Sequence, residues 1–190
     1  MKNKMKHSFL QAWGPFIAAP FVLAGIAFGL WLAVSAAFEN IRLVRATDQI
    51  LGVVATARDV AQDPRQTDAL ATMALFDRLG VPRNQQGSST AMENPWELPL
   101  AVKVFTSDGL VRIENQLSSS SCRHLILLFA KDAVSLGLQG VDVLPSEGGR
   151  GRQLYDASPT HRTGQLDQAS ITAGCGDAER VVLALSFALR

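Results

Sequence analysis

From Ala12 to Phe38 the chain carries no ionisable side chain. A helix rises about 1.5 Å per residue, so ~20 residues cross the hydrocarbon core of a bilayer. This run is long enough. Lys2, Lys4, Lys6 and His7 precede it and Glu39 follows. Under the positive-inside rule that asymmetry leaves the N-terminus in the cytoplasm and the remainder outside it.

Two structures compete for such a run. The stretch "AVSAAFEN", ending at Asn40, offers small residues of the A-x-A type, as a cleaved secretion signal does. Against that, the apolar run exceeds the roughly 7–15 residues of a signal-peptide core. The residues beyond Phe38 decide. Leu43, Ala46, Ile50, Val53, Ala57 and Val60 recur in steps of three and four, one stripe on a helix. Arg42, Arg45, Gln49, Thr56 and Asp59 fall off the stripe. Gly52 is the weak point, costing about 1 kcal/mol relative to Ala. Asp63-Pro64 stops the pattern, because the residue before Pro is driven out of the α region. A single helix from about Pro15 to Gln62 is expected, apolar nearly all round in its first half and amphipathic in its second. Too few heptads are sustained for a coiled coil.

The rest of the 190-residue chain has room for one domain. Formal net charge is +1, without the basic surface of a nucleic-acid binder. Thr67 to Leu79 reads as a short helix, ended by Gly80 and Pro82. Leu98, Leu100, Val102 and Val104 alternate with Pro99, Ala101, Lys103 and Phe105, which is a strand with Pro99 at its start or on an edge. Asp108-Gly109 turns it into a return strand through Val111 and Ile113. "SSSSCRHLILLF" opens a serine-capped helix whose stripe is Cys122, Leu125, Phe129, Ala133 and Leu136, closed by Gly137 or Gly140. A short strand is expected from Val141, then a long loop from Glu147 to Gln168. The final "RVVLALSFALR" reads as a strand with apolar or small residues on both faces, hence central and buried. The fold class is therefore α+β: one long N-terminal helix laid on a small antiparallel sheet.

Cys122 and Cys175 both fall on the exported side. An even count in an oxidising compartment reads as a disulfide, the alternative being two unrelated buried thiols.

This layout resembles a type IVb pilin. The apolar-then-amphipathic helix carries the likeness first. "ENPWELPLAVKVF", from Glu93, is similar to the Asn-Pro-Trp or Asn-Ala-Trp stretch that opens the sheet in that family. "SSSSCRHLILLF" with "ITAGCG" and a terminal strand looks like its two-cysteine region. The resemblance implies a subunit held in the inner membrane, trimmed by a prepilin peptidase, and packed through its N-terminal helix against copies of itself or other pilins by a pilus assembly machinery. It places a basic leader at 1–14 with the peptidase site at Gly14 and Pro15, a transmembrane half-helix at 15–38, an amphipathic half at 39–63 and an exported head at 64–190. Three positions depart from the family pattern. Pro15 follows Gly14, Ala19 stands where a Glu is usual, and Glu97-Leu98 replaces Gly-Gly. They point to a minor or divergent subunit.

Little speaks for catalysis. Asp156, Ser158 and His161 share a loop without a nucleophile-elbow sequence. His124 and Cys122 lack two further zinc ligands at suitable spacing. "EGGRGR", from Glu147, lacks the Lys-Ser/Thr ending of a phosphate loop. No catalytic residue, cofactor, metal or specific nucleic acid is expected. The function expected is structural, with two alternatives. One is an uncleaved single-pass inner-membrane protein serving an envelope secretion or pilus machine. The other is a secreted enzyme released near Ala36 or Ala37.

Overall fold

Between Gly29 and Gly52 neither Pro nor Gly interrupts the chain, so nothing local breaks a helix where the apolar run meets the amphipathic one. In the computed structural model helix α1 accordingly spans Met5–Val60. The structure describes residues 5–62, 67–81, 92–145, 151–157 and 166–190, with side chains from Leu23 onward. The chain divides into two units, Met1–Ile41 and Arg42–Arg190.

In the first unit every described side chain from Leu23 to Phe38 is exposed. Phe28 and Trp31 stack at 6.3 Å, and the Ser35 hydroxyl donates to the Leu32 carbonyl at 2.9 Å, the back-bond that lets a hydroxyl sit on an apolar helix.

The second unit is a six-stranded antiparallel sheet with helices gathered into one core. Its strands are β1 Met92–Glu93, β2 Pro99–Phe105, β3 Leu110–Leu117, β4 Leu138–Pro145, β5 Arg152–Asp156 and β6 Val181–Ala188, in spatial order β1-β2-β3-β6-β4-β5. The remaining helices are α2 Asp68–Arg78, α3 Ser119–Lys131, α4 Ala133–Leu136 and α5 Gln168–Cys175. Leu100, Val102, Val104, Val111, Ile113, Leu183, Leu185 and Phe187 line the core side of the strands. Against them lie Leu43, Ala46, Ile50, Val53, Ala57 and Val60 of α1, all buried. Phe129 of α3 meets Phe187 edge-on at 5.7 Å.

Pro99 begins β2, where a missing N–H is tolerated. Residues 106–109 close the β2–β3 hairpin, with Gly109 at φ 64. Ser118 caps α3 by accepting from the Ser121 N–H at 3.2 Å. Beyond Leu100 the outer edge of β2 is protected by α2. Thr72 accepts from the Val104 N–H at 3.2 Å, and Asp68 accepts from the Thr106 N–H at 2.7 Å and from its hydroxyl. Those bonds hold the Asp68 carboxyl below its ordinary value, the Thr106 hydroxyl contributing most.

Several elements differ from the sequence expectation, among them α5, which stands where no helix is expected. The segment expected as a loop from Glu147 to Gln168 contains β5. Only Leu154 of β5 is buried, so it leaves no period-two signal, and its place comes from pairing with β4. β4 starts at Leu138 rather than Val141, because pairing with β6 continues past Gly140 through a register shift. The serine-capped helix stops at Asp132, whose N–H closes on the Phe129 carbonyl at 3.3 Å, and α4 follows separately before Gly137 turns left-handed at φ 71. Finally, α1 ends at Val60, and Asp63 and Pro64 lie outside the described residues.

Gly52 is exposed, with nothing within 4 Å of where a Cβ would stand. Gly52→Ala is therefore expected to raise stability by about 0.5–1 kcal/mol. Ile50→Ala, two residues away in the core, is expected to lower it by about 2–5 kcal/mol. Denaturant unfolding of the detergent-solubilised chain reads both, and equal effects at the two positions contradict this packing.

Candidate functional site

The surface available to a partner is built from α1 outward. Between Leu43 and Val60 the helix buries one stripe on the sheet, and its ends are tied by side chains the apolar pattern does not predict. Gln49 Nε2 donates to the Glu93 carbonyl at 2.9 Å. Arg58 donates to the Leu136 carbonyl at 2.6 Å and to the Ala188 carbonyl at 3.0 Å. Glu93 pairs with Pro99 at the start of β2, whereas Ala188 pairs with Leu110 at the far end of the hairpin. These two residues thus fix the direction of α1 along the sheet. Charge-assisted bonds to carbonyls are worth about 1.5–3 kcal/mol. Gly137 is favoured here by its φ of 71, and a Cβ there would also crowd an Arg58 nitrogen at 2.9 Å. The only sequence signal for Arg58 is a cation in the last helical turn.

At the Gln49 end lies "ENPWEL". Asn94 is buried and fully used. Its Oδ1 accepts from the Trp96 and Leu98 N–H groups at 2.9 and 3.0 Å, and its Nδ2 donates to Asn115 Oδ1 and the Gln116 carbonyl, each at 2.6 Å. Asn94 thereby folds the turn and bolts it to β3, which is a physical reason for Asn at this position. Glu97, standing where the resemblance expects Gly, adopts φ 60.

Cys122 and Cys175 are joined in a disulfide that links α3 to α5. The one hydroxyl proton of Ser119 is shared between the Cys175 carbonyl at 2.9 Å and the Ala178 carbonyl at 2.5 Å, and Arg123 reaches the Gly176 carbonyl at 3.1 Å. α5 also lies tight on β5, for a Cβ at Gly174 would stand 2.5 Å from Leu154. The C-terminal region is therefore a closed clamp between α3 and the sheet.

The face of the sheet opposite the core is polar. Arg112, paired beside Ser186, bonds Glu114 at 3.0 Å and reaches Asp142 at 3.2 Å. Ala184 pairs with both Glu114 and Asp142, so Arg112 crosses over a small residue. Burial pushes the Asp142 carboxyl up, and the Arg112 guanidinium opposes this without cancelling it. Asp156 and Glu114 add to the rise. On this second face of β6 Ala184 is buried and Val182, Ser186 and Ala188 are half-buried, and the strand lies between β3 and β4, in keeping with a central strand that has apolar or small residues on both faces.

Gly14 and Pro15 lie in the backbone of α1, among residues whose side chains are not described. Ser158 and His161 lie outside the described residues. Among the described residues no cluster of three His, Cys, Asp or Glu side chains is placed to hold a metal. Among the described residues one helix, α1, is long and apolar enough to cross a membrane. No family model, curated protein or solved structure matches this chain.

Reducing the disulfide is expected to lower stability by about 4 kcal/mol on the loop-entropy model. Urea unfolding with and without reductant measures it, and coincident midpoints contradict the clamp. Because the folded carboxyl of Asp142 titrates above its ordinary 3.8, its protonated form stabilises the fold fully below that value. That stability is lost as pH rises through the higher, folded one. Asp142→Asn is expected to be more stable than the parent at pH 7, with the difference closing towards pH 3.8. Urea midpoints across that range provide the check, and a variant weaker than the parent at pH 7 reverses the sign.

Proposed function

We propose that this protein is a structural subunit, minor or divergent, of a type IV pilus-like filament, assembled by packing of N-terminal helices. One observation carries the reading: a single helix, α1, is bare and apolar from Leu23 to Phe38 and then buries a stripe on an antiparallel sheet from Leu43 to Val60. An apolar half-helix cannot remain in water. It needs lipid before assembly and copies of itself afterwards. The clamp at Cys122–Cys175 supports a head that keeps its shape on a fibre surface. On this reading the N-terminus is cytoplasmic, the head periplasmic, and the partners are other pilins, the inner membrane and the assembly machinery. A prepilin peptidase acts at Gly14.

A second reading rests on sequence observations of its own. Pro15 after Gly14 and Ala19 in place of Glu disfavour trimming and paired assembly. They favour an uncleaved single-pass inner-membrane protein whose pilin-like head serves an envelope secretion or pilus machine.

Intact-mass measurement of the protein from its native membrane, together with the sheared surface fraction, separates the two. A start at Pro15 with recovery in sheared filaments is the expected result. An intact Met1 confined to the membrane supports the second reading. A soluble product starting near Ala37 or Phe38 would falsify both.

A further inference from the structure

We infer that Arg42 and Arg45 form a headgroup-binding collar for anionic phospholipid at the base of the globular unit. The inference rests on the membrane-spanning reading of α1 given above. Both residues are exposed on α1, and among the described residues neither guanidinium has a hydrogen-bond or ion-pair partner. Other arginines of the same unit are engaged: Arg58 by two carbonyls, Arg78 by Asp59, Arg112 by Glu114 and Asp142, and Arg123 by Asp177. Arg42 and Arg45 stand four and seven positions beyond Phe38, the last residue of the uncharged run. Along a helix that is roughly 6 and 10 Å. A bilayer's polar layer occupies about 5–8 Å on each side of its hydrocarbon core. Arg42 therefore falls at phosphate depth and Arg45 just above it, where its long stem can return the charge to the same layer.

The apolar surface continues beside them. Val44 is 58% exposed, while Leu43 and Ala46 have already turned into the protein core. A soluble acidic partner would leave Val44 in water. A lipid surface accepts both the apolar side chains and the guanidinium groups, since acyl chains and phosphates lie a few ångströms apart. The guanidinium fork suits phosphate oxygens better than an ammonium would, and the two arginines lie three positions apart, on adjacent turns. The occupant is therefore a phosphate-bearing, net-anionic lipid of the bilayer that α1 crosses, rather than a free phosphate. The collar would set the depth of the helix.

The test uses the full chain reconstituted into phosphatidylcholine vesicles containing spin-labelled phosphatidylglycerol or spin-labelled phosphatidylcholine. The motionally restricted fraction gives the relative affinity of each lipid for the protein. The parent chain is expected to prefer phosphatidylglycerol, and the double variant Arg42→Gln, Arg45→Gln to lose about five-fold of that preference per arginine. Lys131→Gln, an exposed change on α3 in the same unit, is expected to leave it unchanged. Excess inorganic phosphate at matched ionic strength is expected not to compete. Competition by free phosphate, or an undiminished preference in the double variant, overturns the collar. A chain that floats with the vesicles but shows no preference overturns the collar alone. A chain that does not float overturns the membrane reading and the collar with it.

Discussion

The burial of one stripe of α1 on the sheet is the contact on which the rest of the second unit depends. Leu43, Ala46, Ile50, Val53, Ala57 and Val60 each leave water there, and a fully buried Val, Leu or Ile contributes about 1.5–3 kcal/mol. Without that stripe the core side of β2, β3 and β6 would be open where α1 now lies. The stripe decides that α1 docks and along which face. It cannot decide direction, because an apolar stripe reads similarly from either end. Direction comes from polar bonds at the two extremities, Gln49 to the Glu93 carbonyl and Arg58 to the Leu136 and Ala188 carbonyls.

The same division of labour recurs. Apolar burial gathers the helices, while single polar side chains decide how each end is finished. Asn94 folds the turn ahead of β2 and ties it to β3. Thr72 of α2 occupies the Val104 N–H of β2 and Asp68 the Thr106 N–H just beyond it, leaving that end of the edge less available to another strand. Ser119 and Arg123 hold the chain around Cys175. For a protein proposed to work by packing beside copies of itself, edge protection matters. Association through an unplanned strand edge would compete with association through helices.

The polar face of the sheet follows a different logic. Arg112, Glu114 and Asp142 are drawn together over Ala184, yet the pair to Asp142 does not overcome the cost of partly burying its carboxylate. This cluster is better understood as covering small residues of β6 than as a source of stability.

How much of this was legible from residues alone depends on how many side chains share a burden. The α1 stripe, β2, the Asp108-Gly109 hairpin, the Ser118 cap and β6 each have several residues repeating one period or a turn with its own chemistry, so local order shows them. β5 has one buried side chain, Leu154, and α5 little beyond an Asp167 cap and Cys175, so neither announces itself. The pairing of the two cysteines was legible from their count, and what the structure adds is that it joins α3 to α5. By itself the sequence determined that an uncharged helix must leave water and that its continuation must find an apolar surface, because both follow from period and composition. Only the tertiary structure decided strand order, the course of α1, the Arg112 bridge and the Arg58 tie. Each of these joins residues far apart in the chain, and such distances carry no local signal.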